Sequence, residues 1–343
     1  MKIRVLYISL IMLALGLTAC SHSDSDSGRQ VTTIADLGGN PDGVTVADSG
    51  NIYVTDISSG EVIQITPAGQ TSVIADLDST SDNTHPDGIT SVTDGSGNEI
   101  LYIATTGSND PEGGTLSTDG TIRKVDVNTG SVTTFVNSTV LNNPSGIAAD
   151  KSGNLYVAEQ TGALYKIPVD GSGNPGTPVN LTTGIASSGA DIEAPHGLTL
   201  VTNTDGSITL YTTDQGAGSN NILKVDLTSA SDPTVTGAVE LTMESTGGST
   251  TDTTAANAKF NKPHGISTNG KGAIFVADED NNRIQIITPG GNVVTFAGDG
   301  TEGDVTGDPS TARFSNPRGM AVDKSGNVLV CDYGNGKVKK ITN

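Results

Sequence analysis

Three features predict an all-β chain folded as a six-bladed β-propeller of four-stranded antiparallel blades. A Pro-x-Gly unit recurs six times, short alternating strands follow each recurrence, and the last repeat is one strand short. The units are Pro41-Asp42-Gly43, Pro86-Asp87-Gly88, Pro144-Ser145-Gly146, Pro195-His196-Gly197, Pro263-His264-Gly265 and Pro317-Arg318-Gly319, spaced by 45, 58, 51, 68 and 54 residues. Self-similarity at this period, with four short strands per unit, is the signature of a propeller blade.

Within a repeat, the first strand opens on the Pro-x-Gly unit and ends in a turn, often Asp/Lys-Ser-Gly-Asn, whose residues favour tight reversal. A β-branched run ending in an acid comes next, as at 51–56 and 154–159. Alternating stretches such as 61–66 and 71–76 supply the third and fourth strands. The sixth repeat has only 319–323, 328–332 and 337–342. The N-terminal Val31-Thr32-Thr33-Ile34-Ala35-Asp36 matches the fourth strand at 71–76 and is expected to complete the last blade. Closure of that kind removes the exposed sheet edges of an open array.

Composition agrees and narrows the function. The 343 residues include 44 Gly, no Trp, seven Tyr and five Phe, so platforms for stacking sugars or bases are few. The net charge is −20, and the only charges in residues 1–19 are Lys2 and Arg4. Such a surface repels nucleic acid, which binds through Lys and Arg neutralising phosphate. The acidity serves solubility on an exported surface or attracts cations, calcium included.

The N-terminus reads as an export leader. A basic start, Met1-Lys2-Ile3-Arg4, precedes an apolar run from Val5 to Leu17 that is short for a membrane span. Leu17-Thr18-Ala19-Cys20 resembles the bacterial lipoprotein cleavage box. That resemblance implies a signal peptide at 1–19, a lipidated Cys20 opening a polar tether at 20–29, and a propeller at 30–343. The protein is then extracytoplasmic and held to a membrane by its lipid. Ser21, in place of an aspartate, favours the outer membrane in a Gram-negative cell. Cys331 is left without a disulfide partner and takes a slot filled elsewhere by Thr or Ala, so it reads as a small buried residue. A monomer is expected.

Several stretches resemble NHL repeats. Residues 258–265 and 312–319 are similar to that family's blade opening, Phe296-Ala297-Gly298-Asp299-Gly300 to its inter-blade bend, and Asp280-Asn281-Asn282-Arg283-Ile284 to its turn into the third strand. Repeats five and six match best, while repeats two and four depart at 107–120 and 239–257. The resemblance implies the fold and leaves function open, because such propellers serve as binding proteins, lactonase-like hydrolases and lyases.

The residue between Pro and Gly opens each innermost strand, so Asp42, Asp87, Ser145, His196, His264 and Arg318 are expected to ring the channel mouth. His85 directly precedes Pro86. Imidazoles, carboxylates and a guanidinium on one axis suit a divalent metal such as zinc, or an anion. His196, His264, Asp42 and Asp87 are the candidate ligands, and Asp42, Asp87 and Arg318 the candidate catalytic groups. The Pro-His openings resemble those of the peptidyl-amidoglycolate lyase propeller, whose zinc is held by histidines in this slot. Alternate blades here give Asp87, His196 and Arg318 or Asp42, Ser145 and His264, so that site does not transfer whole. The streptogramin lyase propellers, with histidine, acid and magnesium, are also similar, whereas a gluconolactonase-type set has no counterpart. A second ring, Asp56, Thr105, Glu159, Asp214, Asp278 and Asp332, is expected to accept backbone amides between blades. Residues 298–308 offer oxygens for calcium, although their spacing does not fit an EF-hand loop and the inter-blade bend of the resembling family accounts for them. Two functions follow: a binding module for a protein or small ligand, using the mouth and the long loops, or a metal-dependent lyase or hydrolase at the ring.

Overall fold

A computed structural model describes residues 28–77, 85–106, 120–137, 140–187, 191–216, 220–228, 235–240, 253–254 and 258–342. The leader, Cys20 and most of the tether lie outside the described residues, as do most of the long loops of repeats two and four. Among the described residues, no helix is long and apolar enough to cross a membrane.

The strands form six separate antiparallel sheets, one per repeat. Blade one is Pro41–Val46, Ile52–Asp56, Glu61–Ile65 and Thr71–Asp76, in that order from axis to rim. Blade six is Pro317–Val322, Val328–Asp332 and Lys337–Ile341, and its outer place is taken by Val31–Asp36, which pairs with Lys337–Ile341. The ring is therefore closed by the N-terminal strand, as the sequence predicts.

Adjacent blades bury apolar side chains between their faces, and the buried residues fall into six clusters, one at each seam. Second strands such as Leu155–Glu159, Ile274–Asp278 and Val328–Asp332 are buried along their whole length, because both faces meet a neighbouring blade. Cys331 is fully buried in the seam between blades six and one, and burial pushes its thiol well above the usual range.

Two rims depart from the regular pattern, one in strand length and one in strand number. Blade three ends in the two-residue strand Val179–Asn180, since the Gly- and Pro-rich chain before it cannot sustain a ladder; the short helix Thr182–Ser187 follows. Blade five gains a fifth strand, Thr253–Thr254, outside Asn292–Ala297.

The Pro-x-Gly unit is built for the axis. In all six blades the register of the first strand slips between its proline and the residue three further on, a bulge at the ring residue. The glycine after it lies against the carbonyl of the next blade's ring residue: Gly43 on Asp87, Gly88 on Ser145, Gly146 on His196, Gly197 on His264, Gly265 on Arg318 and Gly319 on Asp42. A Cβ at any of these positions would overlap backbone, so only glycine lets the inner strands approach this closely. Hydroxyls tie the same seams: Thr55 Oγ1 donates to Asp87 O at 2.7 Å and Thr213 Oγ1 to His264 O at 2.7 Å.

Candidate functional site

Five of the six ring residues, Asp42, Asp87, His196, His264 and Arg318, line one cavity of about 860 Å³ at the channel mouth. Four of them, all but Arg318, also line a narrower space of about 60 Å³ further along the axis. Ser145 is the exception: it is fully buried, with its hydroxyl set against the carbonyls of Pro195 and His196 at 3.3 and 3.2 Å.

The two histidines stack at the centre, with ring centroids 3.9 Å apart and planes at 49°. Burial, reinforced by Arg318, lowers His196 to about 3, and burial with the neighbouring cations holds His264 well below its ordinary value. Both imidazoles are therefore neutral near pH 7. Nε2 of His196 meets the Gln160 amide at 3.0 Å, and Gln160 is itself oriented by Asn143 Nδ2 at 2.7 Å. With that amide nitrogen as donor, His196 accepts at Nε2 and carries its proton on Nδ1. Asp87 lies 3.8 Å from His196 Nε2 and Asp42 lies 3.9 Å from His264 Nε2, too far for hydrogen bonds.

Blades five, six and one contribute a buried charged unit. Arg318 donates from Nη1 to Asp42 at 3.1 Å and from Nε to Glu279 at 3.2 Å, with its guanidinium 3.6 Å from the centre of the Tyr333 ring. Burial pushes the Glu279 carboxyl up to about 7, against the opposing pull of Arg318 and with a further push from Asp42. Lys262, 3.7 Å from Asp280, stands at the rim.

Glu279 and Tyr333 were not singled out from sequence, although a regular signal marks them. Each directly follows the acid that ends a second strand, and the same offset gives Ile57, Thr106, Gln160 and Gln215, all of which line the mouth. A further tier comes from residues just before a proline, namely His85, Lys262 and Asn316. Lys262 and Asn316 adopt left-handed backbone (φ 48° each), and asparagine side chains of the preceding repeats accept from their amides.

The acids that end the second strands take the structural role expected of them. Asp56, Glu159, Asp214, Asp278 and Asp332 each accept an amide from the crossover that enters their own blade, as in Ala194 N to Asp214 at 2.7 Å and Ser315 N to Asp332 at 2.7 Å. Around 298–308 the carboxylates have partners of their own: Asp299 with Arg313, Asp304 with Lys337 and Lys339, and Asp308 with Ser310. That stretch serves as an inter-blade bend. The metal expectation meets a similar arrangement at the mouth. Each histidine Nε2 faces one carboxylate, Gln160 engages His196, and Arg318 engages Asp42. Among the described residues, no group of three or more His, Cys, Asp or Glu side chains is placed to hold one metal ion.

Six small sheets, glycine-sealed inner strands and a polar axial mouth define an NHL-type β-propeller. The Teneurin NHL domain model matches residues 126–341, and the chain belongs to that family. No curated protein sequence matches it. Among solved structures it is similar to an auxiliary nutrient binding protein from Bacteroides thetaiotaomicron, with 17% identity, a TM-score of 0.66, and 91% of this chain and 76% of that one covered. It is also similar to a gluconolactonase from Xanthomonas campestris (12%, TM-score 0.62, 92% and 90% covered). A virginiamycin B lyase from Staphylococcus aureus is a third such structure (11%, TM-score 0.53, 92% and 99% covered). At these identities the likeness is one of fold.

Proposed function

We propose that this protein is an extracytoplasmic, lipid-anchored binding module that takes a small polar solute in the channel mouth. The carrying observation is the 860 Å³ cavity, which is of small-molecule size and lined by hydrogen-bonding groups from all six blades except the third's own ring serine. Gln160, Gln215, Thr106, Asn316 and Tyr333 offer donors and acceptors at fixed offsets around it. The groups that would do chemistry are engaged with one another: Arg318 with two carboxylates, His196 with Gln160. A neighbour of the same fold bears the name auxiliary nutrient binding protein, which accords with solute capture outside the cell. The leader at 1–19 and Cys20 supply the anchor in this reading, and Ser21 favours an outer-membrane address if the cell is Gram-negative.

A thermal-shift screen of the purified protein against sugars, amino acids and nucleosides tests it. Ligands of the mouth should raise the unfolding temperature of the wild type and lose that effect in Arg318→Ala and Gln215→Ala. Hits that both substitutions leave intact would place binding elsewhere and refute the reading. A metal-dependent lyase or hydrolase is the second reading, favoured by one observation, the stacked pair of neutral imidazoles. Elemental analysis separates the two. Stoichiometric zinc or manganese that disappears in the His196→Ala/His264→Ala variant would move the assignment to the second.

A further inference from the structure

The charge around the mouth is unevenly matched. Among the described residues that line it, four carboxylates, Asp42, Asp87, Glu279 and Asp280, face two cations, Lys262 and Arg318. Both imidazoles are neutral and add nothing to the positive side. One guanidinium is shared by Asp42 and Glu279, and the three side chains come from blades one, five and six. All three are buried, at 2%, 6% and 9% exposure for Asp42, Glu279 and Arg318. A carboxylate held away from water needs a positive charge or a proton beside it.

We propose, on the small-solute reading above, that the ligand of the mouth is an organic cation, a polar molecule carrying one ammonium group that docks against Glu279 beside Arg318 and Asp42. An anion is disfavoured twice, by the local carboxylates and by the −20 charge of the chain. In the free protein burial raises the Glu279 carboxyl to about 7, so a protonated fraction is present near neutral pH. Its surroundings are Arg318, Asp42 and Asp280, with His264 and Lys262 on the same blade. When the ammonium docks, it takes the place of that proton. In the protonated molecules the carboxyl ionises and its proton passes to the solvent buffer, so the net charge of the site is unchanged; in the ionised molecules the ammonium adds one positive charge beside Arg318.

Three probes with one six-carbon polyol skeleton test this: glucamine (cationic), sorbitol (neutral) and gluconate (anionic), titrated calorimetrically at about 0.15 M salt to screen surface charge. Glucamine should bind at least about tenfold more tightly than either other probe at pH 8. That advantage should fall to below about threefold at pH 5.5, where Glu279 is protonated and glucamine is still charged. In Glu279→Gln the advantage should be equally small at pH 8, with sorbitol affinity kept. Heats in buffers of different ionisation enthalpy should show proton release on glucamine binding near pH 7. Sorbitol or gluconate binding as tightly as glucamine would overturn the cation assignment and leave solute binding intact. A glucamine advantage unchanged by pH and by Glu279→Gln would trace it to surface charge, which also overturns it. Binding of none of the three would overturn the small-solute reading and this inference together. Should Glu279→Gln fail to fold, the pH comparison on the wild type decides.

Discussion

Replacing Gly146 by alanine puts one methyl group where blade three meets blade four at the axis. The added Cβ would lie 2.7 Å from Leu198 N and 2.9 Å from the Gly197 carbonyl carbon, and closer still to His196 O. Ordinary contact begins near 3.4 Å, so Leu198 N alone must retreat by about 0.7 Å. Every one of these neighbours is backbone, and no rotamer change relieves them. The ring is closed, so widening one seam strains the five others through the same glycine-to-carbonyl contacts. Overpacking of this kind costs about 1–3 kcal/mol, and a closed ring of backbone contacts puts the expectation at the upper end, about 3 kcal/mol. For a domain of roughly 310 residues, whose unfolding entropy is on the order of 0.65 kcal/mol/K, that is a fall in Tm of about 5 °C. Gly171→Ala is the matched control, since nothing lies within 4 Å of its Cβ and its backbone is not left-handed; a change below about 0.5 kcal/mol is expected there. Thermal melts by circular dichroism on the wild type and both variants decide. Equal melting temperatures for Gly146→Ala and Gly171→Ala would refute the claim that the glycines seal the axis.

Other consequences are as direct. Thr213→Val removes the hydroxyl that accepts from Gly197 N at 2.8 Å and donates to His264 O at 2.7 Å. Denaturant unfolding should show a loss of about 2–3 kcal/mol, with Thr213→Ser recovering most of it; equal stability of the Val and Ser variants would contradict the inter-blade tie. His196, held at about 3 in the fold, is a depressed base, so its contribution is complete above the unfolded value near 6.5 and is lost as pH falls towards 3. The stability of the wild type relative to His196→Gln should therefore drop by about 2 kcal/mol between pH 7.5 and pH 5, and a flat difference would mean the imidazole is not buried neutral. Cys20→Ser should abolish metabolic labelling with fatty acid and release the protein from the membrane fraction; persistence of both would rule out the lipid anchor.

Much of the architecture was legible in the chain because its signals are local. A strand exposes its period-2 pattern in five or six residues, and a turn its Asp-Ser-Gly-Asn, so the repeats could be counted before any contact was known. The missing fourth strand of repeat six and its replacement at 31–36 followed from the same counting. The ring at the mouth was legible for a related reason: it is a fixed offset within each opening, and five of its six members do meet in one cavity. The second tier escaped because Ile57, Thr106, Gln160, Gln215, Glu279 and Tyr333 share a position and no chemistry, so a search by residue type passes over them. Ser145 departs from the expected ring because a short hydroxyl finds its acceptors in the adjacent backbone and turns towards them.

By itself, then, the sequence determined the number of blades, the way the ring closes and which six residues open the inner strands. Tertiary structure alone decided which charges meet. Asp42 and Arg318 are 276 residues apart and are joined only because the ring closes, and Glu279 reaches the same guanidinium from the neighbouring blade. The difference is physical. Strand periodicity is written by each residue and its near neighbours, whereas the burial that neutralises two histidines and lifts Glu279 to about 7 exists only once six sheets have converged on one axis.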